Sequence, residues 1–79
     1  MSATRIRFVG PASLALGVAT ALADADGVEL LSSEVPAPQG AGVVALDVTV
    51  DGSLREVAGA VDRIRDGLPP GARIDVSPD

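Results

Sequence analysis

Residues 43–68 read VVALDVTVDGSLREVAGAVDRIRDGL, a strand pattern followed directly by a helix pattern. Polar Asp47 and Thr49 alternate with apolar residues, and this period of two is typical of a half-buried strand over residues 43–50. The apolar face of that strand consists of Val44, Leu46, Val48 and Val50. An Asp-Gly pair ends the strand, and the helix pattern starts at the next residue.

The helix pattern begins with a capping box, in which Ser53 and Glu56 satisfy polar groups of the first turn. Apolar residues then recur every three or four positions, which predicts one stripe facing a core. The stripe consists of Leu54, Val57, Val61, Ile64 and Leu68. Gly67 and the two prolines after Leu68 are expected to stop the helix.

A second strand–helix pair lies nearer the N-terminus. Residues 5–9 alternate arginine with apolar residues, so we expect Ile6 and Phe8 to point inward. A Gly-Pro pair breaks the strand, and Ser13 is predicted to cap the helix that follows. The apolar stripe of this helix consists of Leu14, Val18, Leu22 and Ala25. Gly27 suits the left-handed position that closes a helix.

Two further strands and a loop complete the chain. Residues 28–35 predict a strand with Val28 and Leu30 inward, and residues 72–76 predict the last strand. Residues 36–42 read PAPQGAG, a composition typical of a loop that forms a mobile hairpin tip.

The resulting order is β-α-β-β-α-β. Both helix stripes and one face of every strand are buried together in an α+β ferredoxin-like plait. We therefore predict a single domain over residues 1–79, with a four-stranded antiparallel sheet and two helices on one face. The right-handed crossover preference places the first and third strands at the centre of the sheet.

Composition argues against several functions. The chain has a net charge of −5 and one aromatic residue, Phe8, so it offers neither the positive surface nor the stacking rings of a nucleic-acid-binding protein. It contains no His and no Cys, which removes the commonest general base, thiolate and zinc ligands. We expect no enzyme activity, no metal and no cofactor. The small apolar residues predict a thin core, to which a partner or dimer contact would add stability.

The N-terminal segment has a second interpretation. Two arginines, an apolar run and Ala21-Leu22-Ala23 together resemble a secretory signal with its cleavage site. Gly10 and Pro11 interrupt the run, and cleavage would leave only a short remnant, so we favour a strand and a helix in a cytoplasmic protein. No apolar run reaches the roughly 18 residues of a membrane span, and no membrane partner is expected.

The exposed sheet face is predicted to be a mixed-charge surface. Its charged and polar residues are Arg5, Arg7, Glu29, Asp47, Thr49, Arg73 and Asp75, with Leu31, Val43 and Ala45 among them. These carboxylates would either form a cluster for metal or acid–base chemistry or pair with arginines across strands. We favour pairing, because a metal site would group acids without arginine among them.

Residues 8–30 resemble an ACT domain, a small regulatory fold that binds amino acids at subunit interfaces. The likeness rests on Phe8-Val-Gly-Pro11, the leucine-rich helix over residues 14–22, Ala23-Asp-Ala-Asp-Gly27 and Val28-Glu-Leu30. Gly10 and Ala12 stand where the family usually has an acidic residue and a glycine. The resemblance implies a small metabolite bound near Gly10, Pro11 and Ser13. Together with the thin core, this turn leads us to expect a homodimer formed by sheet edge or face.

A second resemblance is to small stand-alone components of high-GC bacterial conflict systems, which share the strand–helix order and a Pro/Gly-rich central loop. It implies a protein-interaction adaptor. The predicted contact residues of the loop are Pro36, Pro38, Gly40 and Gly42. Two hypotheses therefore stand: a self-associating, ligand-sensing ACT-like module, and an adaptor for a protein partner. An acylphosphatase-like hydrolase is disfavoured, because such enzymes place water with Asn, and the chain has none.

Overall fold

The computed structural model describes residues 3–78, and its elements follow the predicted order with one short strand added. The strands are β1 (Ala3–Pro11), β2 (Val28–Ser33), β3 (Ala37–Gly40), β4 (Val43–Gly52) and β5 (Arg73–Pro78). The helices are α1 (Ala12–Asp24) and α2 (Leu54–Asp66). Neither helix of this described part is long and apolar enough to cross a membrane.

The sheet is antiparallel throughout and has the order β2-β4-β1-β5, while β3 also pairs with β4. β1 and β4 lie at the centre, as the crossover preference predicts. Phe8 lies in register between Leu46 of β4 and Ile74 of β5. Residues of both helices pack with these three in one core cluster. The predicted ferredoxin-like plait is confirmed.

Alternation along β1 places the core on one face of the sheet. Ile6 and Phe8 are each 1% exposed, whereas Arg5 and Arg7 between and before them are exposed. The buried residues of the helices are Ala15, Val18 and Leu22 of α1 and Val57, Ala60 and Val61 of α2. Most of these side chains are small. Phe8 of β1 is the largest side chain that is fully buried in the core.

The start of α1 differs from the prediction. Pro11 is the N-cap, with extended backbone angles (φ −55°, ψ 136°), and the helix begins at Ala12. Ser13 lies within the first turn and makes no capping hydrogen bond, so its predicted role as the cap is wrong. Because β1 runs into α1 with no residue between them, the chain has no cap position for Ser13. The Ala12 N–H instead donates to the Gly42 carbonyl oxygen (2.9 Å).

The capping box of α2 is confirmed. The Glu56 N–H donates to Ser53 Oγ (3.2 Å), and the Ser53 hydroxyl donates to Glu56 Oε1 (3.1 Å). Gly67 follows the last helical residue, as predicted. The buried face of α2 differs from the predicted apolar stripe at two positions. Leu54, the first helical residue, is 61% exposed, and Ala60, which was not predicted, is buried.

Residues 36–42, predicted to be a loop, form most of a β-hairpin. The pairs are Ala37 with Ala45, Pro38 with Val44 and Gly40 with Val43. Ala41 (φ 53°) and Gly42 (φ 77°) turn the chain through left-handed conformations. Pro38 is compatible with this strand because β3 lies on the edge of the sheet, where a missing N–H is tolerated.

β2 and β4 approach closely at the pair Val28–Gly52. A Cβ on Gly52 would lie 2.5 Å from the Gly27 carbonyl oxygen, so any other residue there forces the backbone to shift. Gly27 has φ +76°, left-handed as predicted, although the C-cap of α1 is Ala25, two residues earlier. This glycine pair brings the start of β2 against the end of β4.

Arg65 of α2 contacts the last strand of the sheet. Its Nη2 donates to the Ile74 carbonyl oxygen (2.9 Å), and its Nη1 lies 3.2 Å from Asp62 Oδ1. β5 pairs with β1 alone, so the guanidinium occupies a backbone acceptor on a strand at the border of the sheet.

Replacing Gly59 with alanine is expected to raise the free energy of unfolding by about 0.5–1 kcal/mol, because glycine in a helix interior is entropically costly. Gly59 lies within α2, and a Cβ there would meet nothing within 4 Å. Urea unfolding followed by circular dichroism measures the change. A lower urea midpoint for the alanine variant than for the wild type would contradict the claim that a methyl group fits at Gly59 without steric contact.

Candidate functional site

The two segments singled out in the sequence, residues 10–13 and 36–42, lie together at one end of the molecule. The hydrogen bond from Ala12 to Gly42 joins them. Gly10 is buried, Pro11 is half-buried and Ser13 is exposed. The predicted loop residues Pro36, Pro38, Gly40 and Gly42 are all exposed. The sequence suggested two separate sites, and the structure makes them neighbours.

A cleft of about 210 Å³ lies between α1 and the connection from β2 to β3. We call it the α1 cleft. Its apolar lining consists of Ala12, Ala15, Leu16, Ala19, Pro36 and Leu46. Ser33 and Glu34 complete the lining, and Glu34 supplies its single charge. The cleft therefore presents a mainly apolar surface next to the 10–13 turn.

One lining residue of the α1 cleft and one residue adjacent to the lining in the chain are large, apolar and exposed. Leu16 is 78% exposed and lines the cleft, and Val35 is 88% exposed and lies in the chain between two lining residues. β2 ends at Ser33, and the Glu34 N–H donates to the Asp47 carbonyl oxygen (2.9 Å), so Val35 lies beyond the strand. An exposed apolar side chain in a mainly apolar cleft enlarges the apolar surface that a ligand can bury.

Neither Leu16 nor Val35 was among the predicted site residues. The exposure of Leu16 follows from helical geometry, since its position falls outside the stripe formed by Val18 and Leu22. Val35 was predicted to lie in the strand over residues 28–35. A register shift between Leu30 and Ser32 interrupts the regular pairing, which resumes at Ser32 and ends at Ser33, two residues before Val35.

The sheet face opposite the helices carries both signs of charge. Arg7 lies in register between Asp47 of β4 and Asp75 of β5. Arg73 and Asp75 approach to 3.9 Å with side chains 76% and 62% exposed, and an exposed pair of this kind contributes at most about 1 kcal/mol. Within residues 3–78, no group of three or more His, Cys, Asp or Glu is placed to hold a metal ion.

The same face becomes apolar near the hairpin. Val9 pairs with Ala45, and Pro11 pairs with Val43. Ala45, expected among the residues of the open face, is only 4% exposed. The strand pairs of this face next to the hairpin are therefore apolar, and the buried Ala45 adds almost no exposed surface to them.

No family model matches the chain, and no curated protein matches it. Solved structures do match. The C-terminal domain of the MgtC protein from Mycobacterium tuberculosis, a solution structure, has a TM-score of 0.77 at 10% identity, covering 100% of this chain and 88% of that one. The de novo designed protein Foldit4 has a TM-score of 0.67 at 15% identity, covering 99% and 94%. The chain has the ferredoxin-like fold.

At such low identities the likeness concerns the fold alone. The ACT-like resemblance of residues 8–30 stays a prediction. Any function of this ferredoxin-like chain must be argued from its own surface, where the α1 cleft and the residues around it stand out.

Proposed function

We propose that the protein is a non-catalytic, cytoplasmic interaction module that binds an apolar segment of a partner protein in the α1 cleft. The observation that carries this proposal is the 78% exposure of Leu16 in the lining of a cleft with one charged lining residue. Val35, which lies in the chain between the lining residues Glu34 and Pro36, is 88% exposed. Burial of each such side chain would contribute about 1.5–3 kcal/mol. A few anchors of this size supply most of the energy of a typical interface.

The size of the α1 cleft favours a protein side chain as its occupant. Pockets for small molecules usually measure about 300–1,000 Å³, and this cleft measures about 210 Å³. Glu34 at its lining also favours a partner segment with a positive charge near the apolar anchor.

Ligand sensing, as the ACT-like resemblance implies, is the second candidate. Two observations support it. Ala12, which lies within the predicted binding turn, lines the α1 cleft. Ser13, the next residue, is exposed and therefore accessible to a ligand. A free amino acid bound there would stabilise the folded state by mass action. A rise of the melting temperature with amino acids at millimolar concentration, in the absence of any peptide, distinguishes this candidate from the first.

Random peptides displayed on phage test the proposed interaction. We expect the selected peptides to share a large apolar residue, and their affinity to fall about tenfold or more in Val35→Asp and in Leu16→Asp, because each change places a charge in an apolar contact. Fluorescence anisotropy with one labelled selected peptide gives the dissociation constants.

Leu54→Asp is the matched control for this experiment. Leu54 is 61% exposed, and the α1 cleft does not include it. A carboxylate at the start of α2 is also favourable for that helix. Equal affinity of the peptides for the wild type, Leu16→Asp and Leu54→Asp would refute a binding role for the α1 cleft.

A further inference from the structure

The two helices differ in the charge that they expose. α1 and α2 have thirteen residues each, and eight residues of each are exposed. Six of the eight on α2 are charged, whereas Asp24 is the one charged residue on α1. A helix with so little charge on its outer side is typically covered by another element. α1 thus has the surface of a helix that is buried on both sides.

The outer side of α1 is formed by small residues in one line. Ser13, Gly17, Thr20 and Asp24 follow at spacings of four, three and four, which places them on one side of the helix. We call this line the α1 crest. Its central residues, Gly17 and Thr20, would allow a second helix to approach to an axial distance of about 8–10 Å.

An apolar groove borders the α1 crest. It lies between α1 and α2, measures about 360 Å³ and includes Leu14, Ala21, Ile64 and Leu68 in its lining. Side chains of a helix laid along the crest would bury this groove as well, so the apolar area available for contact is larger than the crest itself.

The ends of α1 carry a charge pattern that disfavours an isolated helix. The first turn has no acidic residue, the last turn has no basic residue, and Asp24 lies at the negative end of the helix dipole. In an antiparallel pair of α1 helices with Gly17 opposite Thr20, Asp24 of one copy lies opposite Ser13 of the other. There it approaches the first turn of the other helix, where negative charge is stabilising even though the Ala12 N–H already donates to Gly42.

We infer that the α1 crest is the interface of a homodimer in which two copies pack their α1 helices antiparallel. The arrangement is self-complementary, because a two-fold axis repeats each contact, including that of Asp24 with Ser13. The borders of the sheet suit self-association less well, since Arg65 occupies the Ile74 carbonyl on one side and Pro36 and Pro38 lie on the other.

Sedimentation equilibrium on the full chain tests the homodimer. We expect the wild type to reach twice its chain mass of 7.9 kDa. Ser13→Asp is expected to weaken the dimer about tenfold or more, because it sets two carboxylates opposite each other at both ends of the interface. Within each copy, the same change adds a favourable negative charge to the first turn of α1. We therefore expect the variant to stay folded, so that weaker association would reflect the interface itself.

A charge-reversal pair completes the test. Asp24→Arg alone is expected to weaken the dimer as well. The double variant, Ser13→Asp with Asp24→Arg, restores opposite charges across the interface. Its dissociation constant should therefore return to within about threefold of the wild type. Ala58→Glu, on the exposed side of α2, is the control and leaves the mass unchanged.

Three outcomes would overturn the inference. They are a wild type that stays monomeric at millimolar concentration, a dimer indifferent to Ser13→Asp, and a double variant that fails to regain the dimer. Val35→Asp separates this inference from the proposed function, because it is expected to weaken peptide binding and to leave the dimer intact.

Discussion

Replacing Phe8 with alanine is expected to lower the free energy of unfolding by about 3–5 kcal/mol, through lost apolar burial and the cavity left behind. Phe8 is 1% exposed, and it pairs with Leu46 and Ile74 in the middle of the sheet. Domains of this size have about 5–15 kcal/mol of stability in total. Urea unfolding followed by circular dichroism should therefore show a much lower midpoint.

A double-mutant cycle with Gly10 checks the physical cause. A Cβ on Gly10 would lie 2.8 Å from Phe8 Cζ, so Gly10→Ala should cost about 1–3 kcal/mol in the wild type. Phe8→Leu removes the end of the ring, and in that background Gly10→Ala should cost less. The same cost in both backgrounds would mean that the ring and Gly10 do not compete for space.

Replacing Gly52 with alanine is expected to lower the free energy of unfolding by about 1–3 kcal/mol or more. The added Cβ would lie 2.5 Å from the carbonyl oxygen of Gly27, a backbone atom that no side-chain rotation can remove. The start of β2 must then move away from β4, which disturbs the pair of Val28 with Gly52. Urea unfolding measures the loss.

Gly71→Ala is a suitable control for Gly52→Ala. Gly71 has φ +93°, but a Cβ there would meet nothing within 4 Å, so its replacement isolates backbone strain from steric contact. We expect Gly52→Ala to be the more destabilising of the two. A Gly52→Ala protein as stable as the wild type would show that β2 and β4 are not held in close approach.

The central strands and α2 could be predicted from sequence because their signals are local. Phe8 alternates with arginines, Val48 alternates with polar residues, and the capping box of Ser53 and Glu56 marks the helix start within four residues. The alternation in the two strands is clear because each strand buries one face against the helices and leaves the other face more exposed.

The rest of the fold depends on contacts between distant segments. β3 was predicted as a loop because prolines and glycines usually end strands, yet β4 supplies the pairing partner that holds Pro38 in a strand. The place of Ser13 depended on how closely β1 joins α1. The α1 cleft was missed for the same reason, since its residues come from α1, the β2–β3 connection and Leu46 of β4.

The hydrogen bond from Arg65 to the Ile74 carbonyl also bears on aggregation. Strand addition at β5, the first step toward a fibril, would have to displace a guanidinium that Asp62 holds in place on its other side. A charged side chain on an edge strand disfavours edge-to-edge pairing of folded copies, and α2 places Arg65 in that position on β5.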